Sequence, residues 1–168
     1  MLSDSNLYLR RVMTNFSCAK EDFILWVLLV QAKDMVFKAT GKELRQYGIS
    51  PEEAGVLSIV QFLDNKATPA EISRWLLREP HTVSGILSRM EKKGLIKKTK
   101  DLVRKNLVRV TLTEKGQQAY YQSSKVESIR QIMSSLSEEE HQKLISCLKT
   151  LRDRALKELG VDTKTPFP

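Results

Sequence analysis

Helix-start signals at three positions constrain the fold more than any other feature of the sequence. Ser50-Pro-Glu-Glu53, Thr68-Pro-Ala-Glu71 and Ser137-Glu-Glu-Glu140 each offer a hydroxyl that can accept from free backbone N–H groups, with an acid three residues later that can reach back. Proline occupies the first helical position in two of the three. The starts of these three helices are therefore well determined by the sequence.

Apolar spacing and stop signals place the remaining elements. A short helix at 70–77, the turn Arg78-Glu79-Pro80 and a second helix at 81–93 form a predicted helix-turn-helix. Two alternating stretches, 95–99 and 107–112, follow as a hairpin around the basic loop 100–106. Apolar residues at helical spacing also predict helices at 18–47, 54–63, 113–134 and 138–159.

The excess of positive charge is confined to the middle of the chain. The segment 66–116 holds 13 basic and 5 acidic side chains, so that it carries the whole net charge of +8, and the remaining residues are neutral overall. A basic segment in a neutral frame is typical of a polyanion-binding surface, because each neutralised phosphate releases counterions. A merely well-solvated surface is the alternative interpretation of the same pattern.

Several classes of protein are excluded by what the sequence lacks. Cys18 and Cys147 are the only cysteines, and no Cys-x-x-Cys, His-Glu-x-x-His, nucleotide-binding glycine loop or nucleophile elbow is present. We therefore predict no catalytic residue, no metal site and no cofactor. The longest apolar run, Phe23 to Val30, is too short to span a bilayer, and the N-terminal residues do not resemble a signal peptide. The expectation is one cytoplasmic domain with no membrane partner.

Four short motifs occur in a characteristic order. They are Leu44-x-x-Tyr47-Gly-Ile-Ser50-Pro, Ile72-x-x-x-Leu76 with Pro80-His-Thr82-Val83-Ser84, Met90-Glu-Lys-Lys-Gly94-Leu-Ile96, and Val110-Thr-Leu112-Thr113-Glu-Lys-Gly116. In this order, across about residues 18 to 158, the chain resembles the MarR family of bacterial transcriptional regulators. The resemblance implies a mainly α fold with a small β-hairpin wing, a winged helix-turn-helix flanked by N- and C-terminal dimerisation helices.

The resemblance also implies a separate role for each segment of the chain. Residues 1–48 would form an N-terminal arm and a long dimerisation helix, 49–116 the winged-helix lobe that binds DNA, 117–160 the C-terminal dimerisation helices and 161–168 a tail. Pairing is expected because the apolar stripe of the last helix and the Phe23 to Val30 surface exceed what one small lobe can cover. The implied function is a homodimeric repressor on a pseudo-palindromic operator, released by a small-molecule effector whose site stays unassigned.

In a helix-turn-helix the second helix enters the major groove of double-stranded DNA. With Val83, Leu87 and Met90 turned inward, the opposite face would present a set of polar and small residues: His81, Thr82, Ser84, Gly85, Ser88 and Arg89. Contacts from the wing and to phosphate are expected from a second set of basic residues: Arg74, Arg78, Lys100, Arg104 and Lys105.

The wing departs from the family pattern at one place. Where the family commonly carries Asp-x-Arg, this chain has Arg104 and Asn106, with Asp101 three residues earlier. The sequence therefore does not predict the family's acid–arginine pair inside the wing, although positive charge is kept at its tip.

Two other functions remain open at this point. A redox-sensing regulator would use Cys18, but the reactive cysteine of the peroxide-sensing branch falls at Trp26 in this chain. A winged-helix adaptor would bind a protein partner through its long helices and DNA only non-specifically. Cys147 is expected to be a small buried apolar residue of the last helix.

Overall fold

The computed structural model describes the backbone of residues 4–101 and 106–161, and the side chains from Lys20 onward within those ranges. Two compact units are present, Met1–Ala39 and Thr40–Pro168. The elements, in chain order, are α1 Asp4–Leu44 with a 3-10 turn at Arg45–Tyr47, α2 Pro51–Phe62, α3 Pro69–Leu76, α4 Pro80–Lys92, β1 Ile96–Lys100, β2 Val108–Leu112, α5 Glu114–Ser123, α6 Glu127–Met133 and α7 Glu138–Glu158.

The three predicted helix starts are confirmed as reciprocal capping boxes at α2, α3 and α7. At α2 the backbone N–H of Glu53 donates to Ser50 Oγ over 3.2 Å, and the Ser50 N–H donates to Glu53 Oε2 over 2.9 Å. Each box satisfies two N–H groups that a helix start would otherwise leave without a partner. The starts of these helices are therefore determined locally, within four residues.

A single apolar core holds the winged helix-turn-helix together. Ile72 from α3, Leu87 and Met90 from α4, and Val110 from β2 are almost fully buried in it, together with Val56 from α2. The two strands pair antiparallel from Ile96 opposite Leu112 to Lys100 opposite Val108. The predicted order of a helix-turn-helix followed by a hairpin is confirmed, and this core fixes the orientation of α4.

The single helix predicted at 113–134 is wrong, because the chain breaks between α5 and α6. The carboxylate of Glu43 accepts from the N–H groups of Glu127 over 2.8 Å and Ser128 over 2.9 Å, and so caps a new helix start. Just before the break, the hydroxyls of Ser123 and Ser124 donate to carbonyls three residues back. The N–H donors of Ser128 and Glu127 hold the pKa of the Glu43 carboxyl below its ordinary value.

Large apolar side chains remain exposed on both units. On Met1–Ala39 they include Phe23, Trp26 and Leu28, and on α7 they include Leu144, Leu148 and Leu151. The helix α7 buries none of its residues within the described chain. Cys147 is therefore exposed, and the prediction of a buried Cys147 is wrong for the single chain.

Two further expectations from the sequence concern Cys18 and the lack of a membrane span. Cys18 lies in α1, where the side chain is outside the described residues. Among the helices the structure describes, none has both the length and the apolar character that crossing a membrane requires.

Candidate nucleic-acid interface

The turn between α3 and α4 sets the angle of the helix-turn-helix. Leu77 ends α3 with φ of 50°, a left-handed conformation that costs energy for a residue other than glycine. The turn is closed by hydrogen bonds from Leu77 N to Arg74 O over 3.3 Å and from Arg78 N to Ser73 O over 3.1 Å. This geometry leaves Arg74 and Arg78 exposed on either side of the turn.

The two faces of α4 differ as the sequence predicts. Val83, Ile86, Leu87 and Met90 are buried. The opposite side carries the predicted recognition residues: His81, Thr82, Ser84, Ser88 and Arg89 are exposed, and Gly85 is half-buried. A Cβ placed on Gly85 would lie 3.7 Å from Arg89 Nη1, with no other side chain or distant backbone atom among the described residues within 4 Å. The Arg89 guanidinium therefore lies next to Gly85 on one polar face.

A shallow depression joins this face to the preceding turn. Its volume is about 450 Å³, and Arg78, Thr82 and Arg89 line it together with the acids Glu52 and Glu53. The predicted residues of α4 and one of the predicted phosphate-binding residues thus share one surface. Neither Arg78 nor Arg89 forms an ion pair within the described residues. Neither guanidinium group is therefore neutralised by a direct ion pair in that part of the chain.

Of the predicted wing residues, only Lys100 has a described position. It ends β1 and is exposed. Arg104 and Lys105 lie outside the described residues. The structure therefore places the root of the wing but not the two basic side chains predicted at its tip.

An acid–arginine pair does form at the root of the wing, between residues that the sequence reasoning did not connect. Arg109 Nε donates to Asp101 Oδ2 over 2.8 Å, and Arg109 Nη1 donates to the carbonyl of Lys66 over 2.6 Å. Asp101 N also donates to Leu107 O over 2.8 Å. These contacts join both strands of the hairpin to the segment before α3, and they fix the direction in which the wing leaves the lobe.

A second contact that the sequence did not predict lies at the C-terminal end of α4. Lys93 Nζ donates to Glu53 Oε2 over 2.8 Å and to the carbonyl of Gly48 over 3.0 Å. The Glu53 side chain is only 4% exposed, whereas that of Lys93 is 43% exposed. Lys93 therefore ties the end of α4 to the start of α2 and to the residue that ends the 3-10 turn after α1. We expect it to hold α4 at a fixed angle.

The basic residues of the lobe thus fall into two groups. Lys93, Lys98 and Arg109 are used in ion pairs with acids of the lobe. Arg74, Arg78 and Arg89 are exposed and without an ion pair in the described part of the chain. Throughout the part of the chain that the structure describes, no group of three or more His, Cys, Asp or Glu side chains could bind a metal ion.

Comparison with known proteins identifies the family. A model of the MarR family matches residues 47–101. The organohalide-sensing transcriptional regulator RdhR-CbdbA1625, in its 2,4-dichlorophenol-bound form, shares 37% identity over 88% of this chain and 89% of its own, with a TM-score of 0.79. No curated protein matches the sequence.

More distant structures show the same fold. A mutant MarR from E. coli complexed with operator DNA has 20% identity, covering 78% of this chain and 95% of its own, with a TM-score of 0.71. The MepR–DNA complex of S. aureus has 23% identity over 76% and 94%, with a TM-score of 0.69. The winged helix-turn-helix and the shared sequence of the lobe lead to one conclusion: the chain belongs to the MarR family of transcriptional regulators.

Proposed function

We propose that this chain is a sequence-specific double-stranded DNA-binding regulator that acts as a homodimeric repressor. The observation that carries the proposal is the polar, exposed face of α4, whose other face is buried in the core. In a helix-turn-helix that face enters the major groove, where Arg pairs with guanine and hydroxyls reach base edges or phosphates. His81, Thr82, Ser84, Gly85, Ser88 and Arg89 are assigned to this contact.

Phosphate contacts are assigned to the basic residues around that face. Arg74 and Arg78 flank the turn before α4, and Lys100 ends the first strand of the wing. Arg104 and Lys105, which the sequence predicts at the tip of the wing, are included in the assignment although they lie outside the described residues. Their charge supplies affinity without sequence preference, because phosphate neutralisation does not depend on the base pair. The net charge of +8, all of it within 66–116, supports this assignment.

Arg89→Ala is the direct test of base recognition. Removing a bidentate base contact should lower affinity for a selected duplex by about 1 to 3 kcal/mol and relax the preference at one base pair. Duplexes that the protein binds are first selected from a random pool. The affinities for a selected and for a scrambled duplex are then compared by fluorescence anisotropy at several salt concentrations.

Lys100→Ala provides the matched control, since it also removes one exposed positive charge from the lobe. It should weaken selected and scrambled duplexes alike and reduce the salt dependence of binding. If each variant weakens binding to the selected duplex and to the scrambled duplex by the same factor, Arg89 does not recognise a base. If neither alters binding while the fold persists, the assignment of α4 to the groove is wrong.

The exposed apolar surfaces support the proposed dimer. Residues 1–48 and 117–160 supply them: Phe23, Trp26 and Leu28 from α1, and Leu144, Leu148 and Leu151 from α7. Apolar surface on this scale is unfavourable in water and marks an interface. Pairing two chains around a two-fold axis would present two copies of α4 to the two halves of a pseudo-palindromic site.

Sedimentation equilibrium should therefore give about twice the chain mass of 19.2 kDa. Leu28→Glu, at a side chain already 55% exposed, should shift the protein toward the monomer without unfolding it. Lys33→Gln makes the same change in net charge at an exposed position on the other side of α1, and it should leave the dimer intact. A wild-type monomer at micromolar concentration would contradict the dimer and the operator symmetry that follows from it.

Release by a small molecule completes the proposal. The related RdhR-CbdbA1625 has been solved both with 2,4-dichlorophenol and without ligand. An effector that binds more tightly to the conformation unable to bind DNA must, by linkage, be bound more weakly when DNA is present. The effector of this chain would thus act as an antagonist of DNA binding.

A further inference from the structure

The shallow depression beside α4 contains acidic as well as basic side chains. Arg78, Arg89 and Lys93 line it together with Glu52 and Glu53. Lys93 Nζ lies 2.8 Å from Glu53 Oε2, so these two charges offset each other. Glu52 is half-buried and forms no ion pair within the described residues, and the same holds for the two arginines. One carboxylate and two guanidinium groups of the depression therefore keep their full charge in that part of the chain.

The position of Glu52 is fixed by the contacts of its neighbours. Glu52 lies in the first turn of α2, directly before Glu53. The Glu53 carboxylate accepts from the N–H of Ser50 over 2.9 Å and from Lys93 Nζ, at the end of α4, over 2.8 Å. The capping box and the ion pair together hold the first turn of α2 beside α4. The charge of Glu52 is therefore kept at the edge of the depression.

Without the charge of Glu52, this surface would attract the phosphates of any DNA sequence. The first turn of a helix presents free N–H groups and the positive end of the helix dipole, and both favour anions. At α2 this turn shares the depression with Arg78 and Arg89, whose guanidinium groups match phosphate in shape and charge. A carboxylate in the same place opposes that attraction, because it repels phosphate.

We propose that Glu52 excludes DNA phosphate from the depression and is thereby a specificity-determining residue. The proposal rests on the proposed function, in which α4 contacts base edges. On the operator, those base contacts set the register of the duplex and hold its backbone clear of Glu52. On other sequences nothing sets the register, so phosphates can approach the first turn of α2, where Glu52 repels them. Glu52 therefore weakens non-specific binding more than specific binding.

Glu52→Gln tests this exclusion, because the amide keeps the size of the side chain and removes its charge. The affinities of the full chain for a selected and for a scrambled duplex are measured by fluorescence anisotropy at several salt concentrations. We expect the scrambled duplex to bind about fivefold more tightly, and the selected duplex to gain less than about twofold. The salt dependence of binding to the scrambled duplex should become steeper by about one phosphate contact.

Three further variants separate this effect from general electrostatics. Glu114→Gln makes the same change in the first turn of α5, outside the depression, and should leave the ratio of the two affinities and the salt dependence unchanged. Glu52→Asp keeps the negative charge and should retain the wild-type ratio. Arg78→Gln introduced into Glu52→Gln should cancel most of the gain, because the admitted phosphate loses a guanidinium partner. Circular dichroism checks that each variant keeps the helical content of the wild type.

An equal gain for both duplexes, or no change for either, would overturn the proposal. The same conclusion follows if Glu114→Gln reproduces the effect of Glu52→Gln, because Glu52 would then act only through the net charge. Weaker binding of the selected duplex alone would also overturn it, since Glu52 would then accept a hydrogen bond from a base.

The proposed function fails in a different and separable way. A wild-type chain that prefers no duplex would contradict the sequence-specific regulator. In that chain a steeper salt dependence of Glu52→Gln, absent from Glu114→Gln, would still support the exclusion of phosphate by Glu52. An unchanged salt dependence would overturn the exclusion as well.

Discussion

Gly116→Ala is expected to be the most destabilising single substitution considered for this chain. A Cβ on Gly116, in the first turn of α5, would lie 2.0 Å from the carbonyl oxygen of Leu95 and 3.1 Å from its carbon. Both are backbone atoms, so no side-chain rotation can relieve the overlap. The same Leu95 carbonyl accepts from the N–H of Thr113 over 3.1 Å, which holds it in place. We expect a loss of about 3 kcal/mol or more in the free energy of unfolding.

Urea denaturation followed by circular dichroism measures that loss. Gly85→Ala is the matched control, because the neighbour of its added Cβ among the described residues is the flexible end of Arg89 at 3.7 Å. Inside α4 the alanine should stabilise the fold by up to about 1 kcal/mol, since glycine is the poorer helix former. Opposite signs for the two variants are the expected result. Equal and small effects would show that α5 is not packed against the Leu95 carbonyl.

Lys93→Met should also destabilise the fold, through the carboxylate that it leaves behind. The Glu53 side chain is 4% exposed, and of its partners in the described chain it would keep only the N–H of Ser50. A buried charged acceptor without its partner costs about 1 to 3 kcal/mol, and the half-exposed position of Lys93 favours the lower end. We further expect discrimination between selected and scrambled DNA to fall, because the end of α4 loses its connection to α2.

Lys92→Met is the control, as it removes the same charge from the neighbouring exposed residue. It should leave stability nearly unchanged. Glu53→Gln introduced into Lys93→Met should recover part of the stability, because an amide can be buried without a counter-charge. If Lys92→Met and Lys93→Met behave alike in both stability and DNA discrimination, Lys93 contributes only charge.

The boundaries of the elements were predictable wherever the cause is local. Ser50, Thr68 and Ser137 begin their helices through hydrogen bonds within four residues, so the sequence alone contains the whole signal. The break between α5 and α6 was not predictable, because the carboxylate of Glu43 that caps Glu127 lies far away along the chain. Local propensity favours one helix there, and a tertiary contact overrides it.

The features of the candidate site were likewise predictable only where the sequence carries a signal for them. Helical periodicity was enough to separate the buried Val83 and Leu87 from the exposed face of α4. The pair of Glu53 and Lys93 has no sequence signal, since it depends on how α2 packs beside α4. The pair of Asp101 and Arg109 could have been found, because the hairpin register places Arg109 diagonally across from Asp101.

The cap that Glu43 provides also bears on the order in which the molecule folds. Glu43 and Glu127 are 84 positions apart, and the whole winged-helix lobe lies between them. Closing so long a loop in an unfolded chain carries a large entropic cost, which falls once the intervening residues are compact. We therefore expect the lobe to form early and the start of α6 to be fixed late, so that the helices proposed to pair two chains become available only after each lobe has folded.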